Sequence, residues 1–100
     1  MKLRYTRRAQ RHLEAIAEYI AERNPDAARR VGERIRETTA LLRDFPYIGR
    51  EGVLAGTREL VIPALPYVVV YRVEITAGET AVVILGVYHG AQRRPGQEKR

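Results

Sequence analysis

Hydrophobic and polar positions change period several times along this chain, and each change marks an element. From Lys2 to Thr6 the period is two, with Leu3 and Tyr5 on one side, which predicts a short strand. Thr6 then stands where a side-chain oxygen caps a helix. Over residues 7–23 Ala9, Leu13, Ile16, Ala17 and Ile20 recur at helical spacing. Glu14, Glu18 and Glu22 form a second stripe, and like charges four apart repel mildly. The ridge calls for basic neighbours, which a second helix rich in Arg could supply; a plain solvated face is a simpler reading of it than a metal or catalytic role.

Asn24-Pro25-Asp26 is the clearest local signal. Asn suits the N-cap, Pro the first helical position where its missing N–H costs nothing, and Asp the positive end of the helix. A second helix is expected from here to about Asp44, burying Ala28, Val31, Ile35, Thr38 or Thr39, Leu42 and Phe45. The short link makes the two helices an antiparallel hairpin. Residues 45–56 read as a loop, punctuated by Pro46, Gly49, Gly52 and Gly56 yet apolar enough to pack over the core.

Three strands follow, over residues 57–62, 67–73 and 81–89. Pro63 and Pro66 break the first link and residues 76–79 turn the second, so the strands form an antiparallel meander. Tyr67 to Tyr71 are all apolar or aromatic, so both faces of this strand need cover. The hairpin covers one face; the loop 45–56, the C-terminal tail or a partner protein covers the other. The expected fold is α+β in the order β-α-α-β-β-β: a two-helix hairpin packed on a small, largely antiparallel sheet, with the N-terminal strand at an edge. The chain of 100 residues is expected to be one domain with a mobile basic tail from about residue 91.

Composition narrows the function. The chain has no Cys, which removes disulfides and thiolate metal sites and fits a reducing compartment. Its apolar runs are too short to span a bilayer, so the expectation is a cytoplasmic protein with no membrane contact. The net charge of +6 sits at the two ends: Lys2, Arg4, Arg7, Arg8 and Arg11 precede the first acid, and Arg93, Arg94, Lys99 and Arg100 crowd the other end. Such a field suits an anionic partner, nucleic acid, ribosome or acidic protein; it also suits mere solubility with a frayed tail.

Candidate chemistry is sparse. There is no phosphate loop, HExxH, nucleophile elbow or Cys/His ligand set, so no cofactor or metal is expected. His89 ends an apolar strand beside Tyr88, where it serves either as an acid or base or as a structural residue. Arg58 and Arg72 either hold a phosphate or carboxylate on the sheet or pair with Glu59 and Glu74. Gln92, Arg93 and Arg94 form a basic exit from the sheet.

Taken together, the basic strand, the hairpin broken at Asn24-Pro25, Phe45-Pro46-x-x-Gly49, Gly56-x-Arg58-Glu59-Leu60, Tyr67-x-Val69-Val70-Tyr71-Arg72-Val73 and Ile84-x-x-Val87-x-His89-Gly90 carry a family resemblance. The chain resembles the ParE/RelE superfamily of bacterial toxins from type II toxin–antitoxin modules over nearly its whole length. The resemblance implies one of two activities: RelE-like members cut mRNA on the ribosome, and ParE-like members inhibit DNA gyrase. Both are silenced by an antitoxin.

The ParE-like branch fits better. Val68 stands where some nucleases carry an Arg, residues 52–57 hold no charged match for the nucleases' segment, and Gly90 follows His89 where an aromatic residue would stand. The expectation is a gyrase inhibitor, not an enzyme. His89, Arg93 and Arg94 are its expected target surface. Leu13, Ile16, Ile20, Val31, Ile35, Tyr67, Val69, Tyr71, Arg58 and Arg72 are expected to meet the antitoxin. The alternative is a ribosome-dependent endoribonuclease acting on mRNA through His89, Arg58, Arg72 and Tyr88. A third reading is a non-toxic member kept in an autoregulatory complex with its antitoxin.

Overall fold

The computed structural model describes residues 1–90. The expected tail, with Arg93 and Arg94, lies outside the described residues.

Strand β1 (Lys2–Tyr5) leads into helix α1 (Arg7–Ala21), and helix α2 (Pro25–Ala40) returns antiparallel to it. Both predicted caps form: Thr6 Oγ1 accepts from Ala9 N–H at 3.1 Å, and Asn24 Oδ1 accepts from Ala27 N–H at 3.0 Å. Each helix is shorter than its periodicity suggests. α1 stops two residues before Arg23, and α2 tightens into a 3₁₀ turn (Leu41–Arg43) instead of reaching Asp44. That tightening satisfies late carbonyls, with Asp44 and Phe45 N–H both donating to Leu41 O. It also leaves Phe45 57% exposed, not in the buried stripe.

The remaining strands are β2 (Arg50–Glu51), β3 (Arg58–Val61), β4 (Tyr67–Thr76) and β5 (Glu79–His89). β2 is an addition to the expected loop. The sheet order is β1-β5-β4-β3-β2; β1 runs parallel to β5 and all other pairs are antiparallel. The β4–β5 turn is tighter than predicted. Only Ala77 and Gly78 lie outside the strands, with φ of 52° and 81°. Positive φ at both central residues matches the right-handed twist of a hairpin, and Gly78 adopts it at no steric cost.

The register contains one irregularity. Val70 pairs with Gly86 and Tyr71 with Ile84, so Leu85 is an extra residue on β5. A one-residue bulge flips every later side chain to the other face. Val82 and Ile84 face the helices; beyond the bulge, Val87 does so too and Tyr88 is turned to the opposite face, where Val68, Val70 and Val83 are also buried. Gly86 makes this possible, because a Cβ there would stand 2.8 Å from the Tyr88 hydroxyl and 2.9 Å from its ring.

The core lies between hairpin and sheet. Ala9 of α1, Ile35 of α2 and Leu42 of the 3₁₀ turn pack on Ile62, Val69, Tyr71, Val82, Ile84 and Val87. Ala9 is the sole fully buried residue of α1, and its small side chain brings the helix close to β5.

β1 pairs with only the first half of β5, and α1 finishes the job. Thr6 N–H donates to Ile84 O at 3.0 Å, and Thr6 Oγ1 donates to Leu85 O at 3.2 Å. Val87 N–H donates to His12 Nδ1 at 3.1 Å. Backbone groups that would otherwise form an open sheet edge are thereby satisfied.

Candidate interaction surfaces

The helix hairpin holds a groove of about 270 Å³. Ala17 and Ala21 of α1 face Ala28 and Gly32 of α2, and these small side chains open the space between the helices. Leu13, Ile16 and Val31 line it, Ile35 forms its floor, and Arg29 and Arg36 flank it. Arg29 is already neutralised within α2 by Asp26 at 3.8 Å and Glu33 at 3.6 Å. The predicted pairing of α1's acidic ridge with α2 does not form: among the described residues no ion pair reaches Glu14, Glu18 or Glu22.

The sequence-derived antitoxin residues therefore divide. Leu13, Ile16 and Val31 are half-buried along the groove, and Ile20 is half-buried beyond it. Ile35 at the groove floor, Val69 and Tyr71 are at most 1% exposed. Tyr71 instead fixes the loop after α2: its hydroxyl donates to Pro46 O at 2.8 Å and accepts from Gly49 N–H at 2.9 Å. Burial pushes its phenol pKa up, against smaller opposite pulls from the Gly49 bond and Arg58. Gly49 is required, since a Cβ there would stand 2.7 Å from that hydroxyl.

The candidate acid/base and cation set is split between the two faces of the sheet. Arg58 pairs with Tyr71 and His89 with Tyr67, so both follow the helix-side face. Arg72 and Tyr88 pair with Val83 and Val68 on the face away from the helices. His89 lies four residue steps from the Arg58 row, roughly 13 Å along β4. It packs edge-on to Tyr67 at 5.8 Å between centroids. Burial, then Tyr19, pushes the Tyr67 phenol pKa up.

The two sheet cations are engaged as well. Arg58 donates to Gly49 O at 2.8 Å and Tyr47 O at 3.3 Å, and lies 5.0 Å from the Tyr47 ring centroid. Arg72 Nε donates to Glu74 at 2.6 Å, and Arg4 reaches the same carboxylate at 3.5 Å. The buried Glu59 pairs with Arg50 across β2 and β3 at 3.0 Å, not with Arg58. Val68, the aliphatic residue at the position of the nucleases' Arg, is 6% exposed. Gly86 was the sequence signal for this rearrangement, since glycine inside a strand marks a bulge.

His12 escaped the sequence reading. Its Nδ1 accepts from Val87 N–H, so that nitrogen carries no proton and the ring is neutral in this arrangement. Burial, and then Arg8 and Arg11, push its pKa below the ordinary 6.5. Its ring meets Tyr88 at 4.9 Å, T-shaped. No single stretch of sequence reveals this role, because the donor is 75 residues away.

The residues around Tyr88 form a second concavity. Arg7 and Arg8 of α1, Leu54 and Thr57 of the loop, and Leu85 and Tyr88 of β5 line a recess of about 420 Å³. Among the described residues no three His, Asp or Glu side chains group as a metal site. No helix there is long and apolar enough to cross a membrane.

A helix hairpin on a five-stranded mixed sheet is the fold of known small toxins. A structure titled "Chromosomal ParDE TA system from P. aeruginosa" superposes with a TM-score of 0.78 at 25% identity, covering 89% of this chain and 95% of that one. The "YoeB/ParE toxin from Agrobacterium tumefaciens" shares the fold at a TM-score of 0.61 and 22% identity, over 89% of this chain and 98% of that one. In sequence, the Sinorhizobium fredii protein named "Putative toxin Y4kP" is 40% identical over 94 residues, 94% of this chain and 93% of its own. The family model of the ParE toxin of the type II toxin–antitoxin system parDE matches residues 3–94. The chain belongs to that family.

Proposed function

We propose that this protein is the toxin of a type II toxin–antitoxin pair that inhibits DNA gyrase in the cytoplasm and is neutralised by a cognate antitoxin. The observation that carries the first half is the split of the would-be catalytic set. His89 and Arg72 follow opposite faces of the sheet, and Arg72 is held by Glu74. Phosphodiester cleavage needs a proton acceptor and charge stabilisation at one place. Binding a target needs only a surface. The basic ends, including Arg93 and Arg94 beyond the described residues, supply charge for it, and His89 at the end of β5 adds a polar ring.

The hairpin groove supports the antitoxin reading. An amphipathic helix places apolar side chains three and four apart into such a groove. Leu13, Ile16 and Val31 give it an apolar wall, and Arg36 at the rim suits an acid on the partner.

The test uses antitoxin-free protein in two reactions, one with gyrase, ATP and relaxed plasmid, the other with translating ribosomes and a labelled message. Loss of supercoiling with intact message is expected. Cleavage of the message with supercoiling unchanged, abolished by His89→Ala, overturns the reading in favour of a ribosome-dependent nuclease. Neither effect, with no arrest of growth, leaves the autoregulatory role.

A further inference from the structure

The start of α1 is built against its own electrostatics. A helix N-terminus is positive and favours acids, yet this first turn has no acid and carries Arg7 and Arg8. Arg11 follows one turn on from Arg7. None of the three forms an ion pair with a described residue, whereas Arg29, Arg50 and Arg72 all do. Three unneutralised cations on one helix end suit an external anion.

The recess beside them is preformed. Gly52 N–H donates to Thr57 O at 2.8 Å, Thr57 N–H to Leu54 O at 3.1 Å, and Thr57 Oγ1 to Leu54 O at 2.6 Å. Any side chain at Gly52 would collide with Thr57 Oγ1, 2.2 Å from its Cβ position. This knotted loop holds Leu54, 47% exposed, across from Leu85 and Tyr88. The bulge at Leu85 turned Tyr88 to this side. The recess is thus an apolar socket under a basic rim.

We propose that this recess docks an acidic protein segment, which seats one large apolar side chain between Leu54, Leu85 and Tyr88 and sets carboxylates on Arg7, Arg8 and Arg11. Charge complementarity selects the occupant. The chain's own residues 91–100 carry four cations and one acid, so they do not supply the negative charge. Nucleic acid is the weaker fit, because Tyr88 is only 9% exposed and has little ring face free for a base. The surface is distinct from the hairpin groove and does not depend on gyrase being the target.

The experiment is an NMR titration of the ¹⁵N-labelled full chain. One probe is a five-residue peptide, tryptophan flanked on each side by two glutamates; the control peptide has serine for tryptophan. The tryptophan peptide is expected to shift the amides of Arg8, Leu54 and Tyr88, with a Kd of about 1 mM or tighter that weakens with salt. Leu54→Asp, and Arg7→Glu with Arg8→Glu, are each expected to weaken it about tenfold or more. The double reversal places acids at a helix N-terminus, so thermal stability should hold or rise while binding falls. Equal binding of the serine peptide, shifts confined to the hairpin groove, or no shift at several millimolar overturns the proposal. Tighter binding of a five-nucleotide DNA at the same amides overturns it in favour of a nucleic-acid site.

Discussion

The hairpin groove and the recess at the start of α1 both set arginines beside apolar side chains, but the arginines are in different states. Arg29 at the groove is satisfied within its own helix by Asp26 and Glu33. Arg7, Arg8 and Arg11 at the recess have no such acid among the described residues. Of the groove's two arginines only Arg36 is without an acid among the described residues, so the groove presents mainly shape and apolar area with one free cation at its rim. The recess presents a field. Affinity built on the first should resist salt, and affinity built on the second should fade as the Debye length shrinks.

Four substitutions test this contrast, from largest expected effect to smallest. Ile35→Ala removes the floor of the groove and empties core volume, so chemical denaturation should show a loss of about 2–5 kcal/mol. A loss under 1 kcal/mol would mean that Ile35 is groove lining and not core.

His12→Phe leaves Val87 N–H without its acceptor and should cost about 1–3 kcal/mol at pH 7.5. The wild type should also be acid-sensitive. The folded imidazole resists a proton that the unfolded chain accepts at its ordinary 6.5. This group's contribution is therefore full above pH 6.5 and declines as pH falls through 6.5 toward the lower folded-state value. The variant should lose that slope; if it keeps it, another group carries the acid sensitivity.

Ala28→Phe fills the groove from its exposed end and should weaken antitoxin binding about tenfold, roughly 1.4 kcal/mol, in calorimetry. The peptide titration at the recess should not change. Ala77→Asn relieves a left-handed alanine in the β4–β5 turn and should add about 0.5–1 kcal/mol, read as a rise in Tm, with both surfaces untouched.

Local rules were legible in the chain, and long-range ones were not. Thr6 and Asn24 announce their helices because a cap is a contact three residues long. The strand order follows from short links. The end of α2 at Ala40 was misplaced because Leu42 and Phe45 kept the apolar period after the backbone had tightened. β2 is two residues long and has no period at all. The site suffered most from one residue. Strict alternation of β5 leaves His89 on the face of Val83, and the extra Leu85 moves it to the other side. Arg72 and Glu74 lie two apart on one strand, so their pairing was foreseeable; Arg58's carbonyl partners in the loop were not.

The parallel pairing of β1 with β5 has a consequence in time. Lys2 sits opposite Ala81, and Tyr5 opposite Ile84. During synthesis the first strand waits for the last one to be made, about 4–16 s at ordinary elongation rates of roughly 5–20 residues per second. The hairpin, which ends at Ala40, has been synthesised by about half that time. A nascent chain thus carries the groove's apolar residues before its sheet can close, and under the function proposed above an antitoxin already in the cell meets them while the toxin is still being translated.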